Sequence, residues 1–481
     1  MMHNMKRYIV LLTLSAIVNQ SFGFCGFYVA KAGASLFNNK SEVILVRDGT
    51  KTIITMSNDF KGNVKDFAMV VPVPEILRER DIRVVDRSIF DKLDAYSAPR
   101  LVEYYDANPC WNYKEYEFDM APVSVNRAAK AENMADMVTK NLGVTIEAKY
   151  TIGEYDILIL SATESKGLKT WLTANGYSIP ENANEVLDRY IKSDLKFFVV
   201  KVNLEASKNT GYNYLRPIQI TFNSDRFMLP IRLGMANAVS AQDLIIYAFT
   251  RTGRVETTNY RTVKMPTDRN IPTFVLNEFE PFYQKTFDKA YHSEGENAVF
   301  LEYAWNVTPS YGQVKCDPCV GPPPIEGDLR EAGVDWFSAN TTGKVFFTRL
   351  HVRYTRSQFP QDLMFQATPN NEIYQARYIV THPATDVNCE EGKKYLAELE
   401  MRKIRELHEF AALTGNSLQS YKWYAPALKD EENKSGKNDV FPVSGDNNNR
   451  TGPRSPGILF LLIIPMLLLG FGMLLARLKS R

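Results

Sequence analysis

Short apolar runs separated by turn-forming residues recur along most of the chain. Residues 42–46 and 52–56 are two such runs, rich in Val, Ile and Thr, and Asp48 and Gly49 lie between them. An Asp-Gly pair between β-branched runs is typical of a tight hairpin, because both residues tolerate positive φ. We therefore predict an antiparallel strand pair here. Further strands are predicted at residues 67–73, 196–204, 217–222, 243–249, 298–305, 345–354 and 374–381.

Helical patterns are fewer than strand patterns. Residues 127–142 and 165–175 have helical composition, and Gly143 and Gly176 follow them in the position of a C-terminal cap. Residues 389–413 are the longest charged candidate, and we expect one face of this helix to pack on the domain and the other to meet solvent. Helices scattered among strands, without regular alternation, predict an α+β fold with antiparallel sheets.

Both ends of the chain carry apolar segments. Two basic residues precede the first apolar run, and Ser21 and Gly23 supply the small residues of a cleavage site, so residues 1–23 are predicted to be a secretory signal peptide. Residues 457–476 carry no charge, and at about 1.5 Å per residue they are long enough for the roughly 30 Å hydrocarbon core of a bilayer. This segment is predicted to be one transmembrane helix.

The residues around the predicted transmembrane helix set its orientation. Three of the five residues at 477–481 are basic, and positive residues beside a span stay on the cytoplasmic side. The alternative is a C-terminal sorting or lipid-anchor signal, whose tail is removed. Residues 426–456 lack an apolar face and predict a flexible tether. Residues 24–425 are then an exported ectodomain, long enough for two subdomains.

Composition and charge narrow the classes of function. The 481 residues contain 57 Lys and Arg against 55 Asp and Glu, a formal net charge of +2, and the basic residues are spread among acids. No long-range field gathers a polyanion, so nucleic acid is not an expected partner. Hydrophobic residues make up 45% and charged residues 23% of the chain, which excludes the disordered and collagen-like classes.

The disulfide candidates are the five cysteines Cys25, Cys110, Cys316, Cys319 and Cys389. All of them fall in the part predicted to be exported, where thiols meet oxidants and disulfides are the default. Two bridges among five sulfurs can be chosen in about 15 ways, so the connectivity stays open and one cysteine is left over.

Cys316-Asp317-Pro318-Cys319 is a short motif with a chemical precedent, because a C-x-P-C turn brings two sulfurs close enough for reversible oxidation. A redox cysteine usually opens a helix, whereas the prolines at 322–324 follow this motif and cannot continue one. The sequence therefore favours a structural staple over thiol catalysis. A zinc site is the third alternative, although it needs two more ligands and none lies at a standard spacing.

Other catalytic patterns are incomplete. His408 and Glu409 begin like a zinc-protease helix, but Ala412 stands where the second His belongs. His351 and His382 lie in or beside strand patterns, where a hydrogen-bonded structural role is commoner than catalysis. The sequence identifies no catalytic residue, no cofactor and no metal ligand.

Several blocks of sequence occur together in a fixed order. They are Cys25-Gly26-Phe27, residues 66–74 (DFAMVVPVP), 90–94 (FDKLD), 98–100 (APR), 155–162 (YDILILSA), 171–172 (WL) with 175–177 (NGY), 229–234 (LPIRLG), 316–323 (CDPCVGPP), 348–354 (TRLHVRY) and 359–363 (FPQDL). In this order they resemble the uncharacterised bacterial envelope family catalogued as domain of unknown function number 2330.

The resemblance implies an exported bacterial protein, often membrane-attached, and it brings no assigned catalytic residue, cofactor or substrate. Many proteins of this kind have a second cysteine close to the first. Here Tyr28-Val29-Ala30 holds none, so Cys25 needs a distant partner.

These observations together predict a single-pass protein of the bacterial cytoplasmic membrane, with the N-terminal ectodomain outside and the C-terminus inside. The expected partners are the lipid bilayer, through the C-terminal helix, and an envelope protein or glycan. Binding or assembly at the envelope is the favoured role. The alternatives are thiol-disulfide exchange at Cys316 and Cys319, and hydrolysis by residues that lie far apart in the sequence.

Overall fold

The computed structural model describes residues 27–28, 37–38, 41–57, 60–61, 68–111, 143–175, 183–203, 215–236, 241–309, 315–319, 321–336 and 343–426. The predicted signal peptide, Cys25, the helix predicted at 127–142 and the transmembrane helix predicted at 457–476 lie outside these residues, as does the predicted tether beyond residue 426. The chain divides into two units, Met1–Ala427 and Leu428–Arg481, and every described residue belongs to the first.

The strands of the described residues are β1 Phe27–Tyr28, β2 Phe37–Asn38, β3 Ser41–Asp48, β4 Lys51–Met56, β5 Phe60–Lys61, β6 Ala68–Val73, β7 Ile82–Val84, β8 Arg100–Tyr105, β9 Val144–Ile152, β10 Tyr155–Ala162, β11 Lys196–Val202, β12 Ile218–Asn223, β13 Met228–Leu229, β14 Gln242–Thr250, β15 Val255–Thr257, β16 Arg261–Lys264, β17 Arg269–Asn270, β18 Ala298–Asn306, β19 Phe346–Tyr354, β20 Leu363–Ala367, β21 Tyr374–Gln375 and β22 Arg377–His382. The α-helices are α1 Ser88–Ser97, α2 Ser165–Ala174, α3 Ala183–Lys192, α4 Phe279–Ser293, α5 Glu326–Glu331 and α6 Glu390–Thr414.

Two large sheets organise these strands. The first has five strands in the order β1-β6-β11-β10-β9, and all of its neighbours are antiparallel. The second has nine strands, in the order β16-β18-β19-β14-β3-β4-β12-β7 with β21 also paired to β18. Smaller sheets are β13-β20-β15, β17-β22-β8 and β2-β5. The strand-rich α+β class predicted from the sequence is confirmed.

The prediction of antiparallel sheets is correct only in part, since the five-stranded sheet is antiparallel throughout whereas two other sheets contain parallel neighbours. β14 lies parallel to β3 and β16 lies parallel to β18, so the nine-stranded sheet is mixed, and β17-β22-β8 is entirely parallel. Parallel neighbours need long connections, and here β3 and β14 are separated by most of the first half of the chain. Strand patterns in a sequence do not reveal such distant pairings, because the pairing depends on tertiary packing.

The predicted hairpin is confirmed, with its turn one residue further along. Asp48 is paired with Lys51, so the two turn residues are Gly49 and Thr50. Gly49 has φ +60°, which glycine adopts without the steric cost that a Cβ brings. The turn thus uses the glycine of the Asp-Gly pair, while the aspartate closes the strand.

The two large sheets pack face to face over the largest core. Val43 and Leu45 of β3 point into this core and meet residues such as Val71 and Ile157 of the five-stranded sheet. Ile44, which lies between these two residues in β3, points to the opposite face of the sheet and into a second core. Other residues that alternate with Val43 and Leu45 share that face. Because β3 is buried on both faces, its sequence is a nearly continuous apolar run rather than an alternating one.

Helices cover the outer faces of both sheets. α2 and α3 pack on the five-stranded sheet through Trp171 and Leu187. α1 and α5 pack on the nine-stranded sheet through Phe90 and Leu329. α2 confirms the helix predicted at 165–175, whereas α1, α3, α4 and α5 were not predicted from the sequence.

α6 confirms the longest predicted helix. Leu399, Leu407, Phe410 and Leu413 are buried at helical spacing, while Leu396 is 45% exposed, so the apolar face begins later than the sequence indicated. The helix packs beside α4 and the parallel sheet in a separate small core. Among the described residues, no helix combines the length and the apolar character needed to cross a bilayer.

Candidate functional site

The C-x-P-C motif forms a disulfide between Cys316 and Cys319, whose Cα atoms are 5.1 Å apart. Cys316 is 1% exposed and belongs to the core beneath α1, whereas Cys319 is exposed. Residues 321–325, which follow the motif, are neither helix nor strand, and α5 begins at Glu326. The geometry therefore lacks the helix N-terminus that lowers the pKa of a catalytic thiol.

Side chains from three neighbouring elements hold the backbone of this loop. The phenols of Tyr96 on α1 and Tyr303 on β18 both donate to the carbonyl oxygen of Lys315, each at 2.8 Å. Burial raises the pKa of Tyr96 to about 12 and that of Tyr303 well above its usual value, so both hydroxyls keep the proton that they donate. Arg100 Nη1 donates to the Pro318 carbonyl at 3.0 Å.

Asp317 is held from the opposite side. Gln375 Nε2 donates to its carbonyl oxygen at 3.0 Å, and Arg377 Nη1 lies 2.7 Å from its Oδ2. Together with the contacts to residues 315 and 318, these bonds tie the disulfide loop to α1, β8, β18, β21 and β22. The motif is thus a fastened loop, and its interpretation as a structural staple stays a prediction.

The second disulfide joins Cys110 to Cys389, 279 positions further along the chain, with a Cα–Cα distance of 5.7 Å. Cys389 is the N-cap residue of α6, where its sulfur accepts the Gly392 N–H at 3.3 Å. Nearby, Asp106 accepts a hydrogen bond from Tyr395 Oη at 2.6 Å. The bridge therefore fixes the start of α6 beside the chain that follows β8. All cysteines of the described residues stand in these two pairs.

His351 does not approach the C-x-P-C loop; it lies within a network of buried charges on the nine-stranded sheet. Arg349, His351 and Arg353 alternate along β19, so their side chains share one face of the sheet. The neighbouring β14 places Asp243 opposite Arg353. α4 covers this face, and the ring of Phe287 stacks on His351 with 3.8 Å between centroids.

Glu302 is the centre of this network. It occupies a β-bulge in β18, where the pairing with β19 shifts between Leu301 and Tyr303, and a bulge re-aims the side chain that it carries. Its carboxylate is 1% exposed and receives three bonds. Arg349 Nε lies at 2.5 Å, Tyr283 Oη at 2.5 Å and His351 Nδ1 at 2.9 Å.

The charges of the network determine its protonation. Burial alone would raise the pKa of Glu302, but Arg349 and His351 outweigh burial and hold it at about 2. Burial would likewise lower the pKa of His351, but Glu302 and Asp243 raise it above its ordinary value. The pKa of Asp243 is lowered by His351 and Arg353 in spite of burial. The two carboxylates on either side of the His351 ring thus favour its protonated form.

This arrangement offers little to a substrate. Both ring nitrogens of His351 are engaged, since Nε2 lies 3.3 Å from Asp243 Oδ1. Arg349 is 4% exposed and also contacts Asp94 Oδ1 of α1 at 2.7 Å. The network therefore joins α1, α4 and three strands, and it leaves no ring nitrogen free to act as a base. Its role is to bind the elements to one another.

The sequence analysis missed Glu302, Asp243 and Arg349. A signal was available, because Arg-Leu-His-Val-Arg at 349–353 puts three cations on one face of an apolar strand. Cations on a buried face need anionic partners. The identity of those partners depends on the strand order and on the bulge, which the sequence does not disclose.

The structure also shows which groups surround His382. His382 Nε2 lies 2.8 Å from Glu103 Oε2, and its ring stacks on Tyr105 at 4.4 Å.

In the described part of the chain, no three His, Cys, Asp or Glu side chains are grouped so as to hold a metal ion. Cys316 and Cys319 are paired with each other, which removes them as zinc ligands.

Comparison with known proteins identifies a family but no individual relative. The family model described as an uncharacterized protein conserved in bacteria, DUF2330, matches residues 19–366. No curated protein and no solved structure matches the chain. The family model covers well over half of the sequence and includes both the C-x-P-C loop and the buried charge network. The chain therefore belongs to the DUF2330 family, as the order of its sequence blocks predicted.

Proposed function

We propose that the protein is exported, held at the cytoplasmic membrane by its C-terminal segment, and binds or assembles other components of the bacterial envelope. In this proposal the ectodomain, residues 24–425, is a rigid binding module rather than an enzyme. The observation that carries the proposal is the pairing of four cysteines into two disulfides, one of them within a fastened loop.

The disulfides support export because such bonds persist in oxidising compartments and are rare in the cytosol. The sequence adds two independent supports, namely the signal-peptide pattern at residues 1–23 and the uncharged segment at 457–476 followed by basic residues. These three features belong to different parts of the chain, and each is expected of an anchored exported protein.

The ionisable residues of the core support a binding role rather than catalysis, because they contact one another. Glu302, Arg349 and His351 are engaged with one another, and the first sulfur of the C-x-P-C motif is buried. Residues that could perform acid–base or thiol chemistry therefore serve contacts within the protein.

The location is tested by expressing the full chain in a bacterium and separating the soluble, alkali-extracted and membrane fractions. We expect mature protein lacking residues 1–23 in the alkali-resistant membrane fraction. External protease should degrade it in spheroplasts, and alkylation before reduction should leave the four paired cysteines unmodified. Intact protein in the cytosol, with its leader uncut and these thiols alkylated, would contradict the proposal.

Thiol-disulfide exchange is the second candidate, and the exposure of Cys319 favours it because a partner thiolate can reach that sulfur. The test is insulin reduction by the purified protein and by a Cys316→Ala, Cys319→Ala variant. We expect equal rates, since the loop lacks an activating helix. A rate that falls to background in the variant would establish the redox activity instead.

A further inference from the structure

A cavity opens between α3, the chain around Arg232 and the turn that follows β19. The charged residues of its lining are three arginines, Arg189, Arg232 and Arg356, and one acid, Glu185. We call this the arginine cavity. Its volume is about 130 Å³, whereas one water needs only about 10–15 Å³ on a comparable measure. A polyatomic anion therefore fits.

The arginines of this cavity are short of anionic partners. Glu185 serves two of them, since its carboxylate lies 3.1 Å from Arg189 and 3.3 Å from Arg356. Among the described residues, the Arg232 guanidinium has neither a hydrogen bond nor an ion pair. Three cations against one anion give the lining a formal charge of +2.

One further acid acts on this charge from outside the lining. Asp362 is buried and accepts the backbone N–H of Arg232 at 3.1 Å and the hydroxyl of Tyr190 at 2.8 Å. Counting Asp362, the local charge is +1. The carboxylate is already engaged by Tyr190 and the backbone, so the Arg232 guanidinium still faces the cavity without a bonded partner.

A second cavity shows that this excess is not a general property of the surface. Near the β3–β4 turn, Arg47 and Arg251 line a cavity together with Asp48 and Asp225. There Arg251 is paired with Asp48 at 2.6 Å, and Arg47 donates to Thr52 Oγ1 at 2.6 Å. The two cations are matched by two anions, so this cavity has no net charge to offer a ligand.

We propose that the arginine cavity binds a phosphate group, as a monoester or a diester. Guanidinium groups stay charged at every physiological pH, and their planar forks match the oxygens of phosphate. A phosphate monoester presents three terminal oxygens to three guanidiniums, and a diester presents two terminal and two bridging oxygens, whereas a carboxylate presents two oxygens in all. Buried apolar side chains, Val186, Met235 and Phe359, complete the lining and suit the carbon substituent of an ester.

This inference deepens the proposed binding role by naming a ligand class, and it rests on that role for its place in the envelope. The sequence blocks 229–234 and 359–363, to which neither disulfide belongs, meet at this cavity through Arg232 and Phe359. The phosphate of the ligand has two plausible sources on chemical grounds, a soluble phosphate ester and the headgroup of an anionic phospholipid.

The experiment measures binding of inorganic phosphate and of glycerol 3-phosphate to the purified full chain by titration calorimetry at low ionic strength. Arg232→Gln should weaken binding by about tenfold, because charge-assisted hydrogen bonds are lost. Glu185→Gln should instead tighten binding, since it removes the competing carboxylate. Arg330→Gln is the matched control, because Arg330 pairs with Glu326 across one helical turn as Arg189 does with Glu185.

The source of the phosphate is resolved by a second arm. Vesicles of phosphatidylcholine with and without phosphatidylglycerol are compared with glycerol 3-phosphate as ligands for the same variants. Binding of either ligand that depends on Arg232 supports the site, and the stronger ligand identifies the source. The inference would be overturned by equal binding in all variants, by equal binding of acetate and phosphate, or by the absence of Arg232-dependent binding of both glycerol 3-phosphate and the phosphatidylglycerol vesicles.

Failure of this inference and failure of the proposed function are distinguishable. The calorimetry uses purified protein and does not depend on where the protein resides, whereas the fractionation experiment does not depend on any ligand. Opposite signs of effect for Arg232→Gln and Glu185→Gln also guard against misfolding, because a folding defect weakens binding in both variants.

Discussion

Opening the two disulfides separately should lower stability by unequal amounts. A crosslink reduces the entropy of the unfolded chain more when it closes a longer loop. With a separation of 279 residues, removing Cys110–Cys389 is expected to cost about 6 kcal/mol at 25 °C. With a separation of 3 residues, removing Cys316–Cys319 is expected to cost about 2 kcal/mol on the same relation.

Thermal unfolding of the full chain, followed by circular dichroism, tests this difference. For roughly 400 folded residues, the unfolding entropy of about 2.1 cal/mol/K per residue makes 1 kcal/mol equivalent to about 1 °C. The variant Cys110→Ala, Cys389→Ala should therefore melt about 6 °C below the wild type, and Cys316→Ala, Cys319→Ala about 2 °C below it. Alanine is preferred to serine because Cys316 is buried and a serine hydroxyl would lack a partner there.

The comparison has a built-in control, since both variants lose two sulfurs and one bond. Non-reducing peptide mapping must first recover the Cys110–Cys389 and Cys316–Cys319 peptides. A larger loss of stability for the short loop than for the long one would refute the reasoning. It would mean that packing around residue 316, rather than the entropy of the unfolded chain, determines the contribution of the bridges.

Three further predictions concern single positions. Glu302→Gln should lower the free energy of unfolding, measured in urea, by about 3 kcal/mol or more, because two buried cations lose their counter-charge. The exposed Glu326→Gln should lower it by less than about 1 kcal/mol. Equal decreases for the two variants would contradict this prediction. The pKa of His351 is raised in the folded state, so the charge on its ring stabilises the fold fully below about pH 6.5, the ordinary pKa of histidine. This stabilisation is lost as the pH rises through the pKa of the folded state. The difference in the free energy of unfolding between wild type and His351→Gln should therefore narrow from pH 6 to pH 9. A constant gap would show that the ring acts uncharged. Gly253→Ala should destabilise the protein, because the new Cβ would clash with the backbone of Asn370. Gly327 lies on a helix with open space around its Cα, so Gly327→Ala should stabilise the protein by up to about 1 kcal/mol. Thermal melts in which both variants match the wild type would disprove this prediction.

Much of the secondary structure could be predicted from the sequence, because local patterns determine it. The apolar runs at 298–305 and 345–354 became β18 and β19 almost residue for residue. Helix α6 was found for the same reason, with Gly415 at φ +74° ending it. The parallel pairing of β14 with β3 could not be predicted, since it depends on which surfaces two distant segments bury together.

The candidate site divides in the same way. The C-x-P-C loop was located by its spacing, and bonds from Tyr96, Tyr303 and Arg100 hold it. Two of its partners, Tyr96 and Arg100, could not be named because they lie more than two hundred positions before the loop. The arginine cavity was invisible for that reason too, since Arg189, Arg232 and Arg356 share no local pattern.

The parallel neighbour of β3 has a consequence for how the protein is made. The first long strand of the polypeptide sits between β4 and β14, and β14 begins only at Gln242. On a ribosome, or at a translocation pore, half of the chain must emerge before that side of β3 gains its ladder. Until then the strand presents an unpaired, apolar edge, which favours self-association. Keeping nascent molecules apart until synthesis has passed the midpoint would therefore limit this self-association.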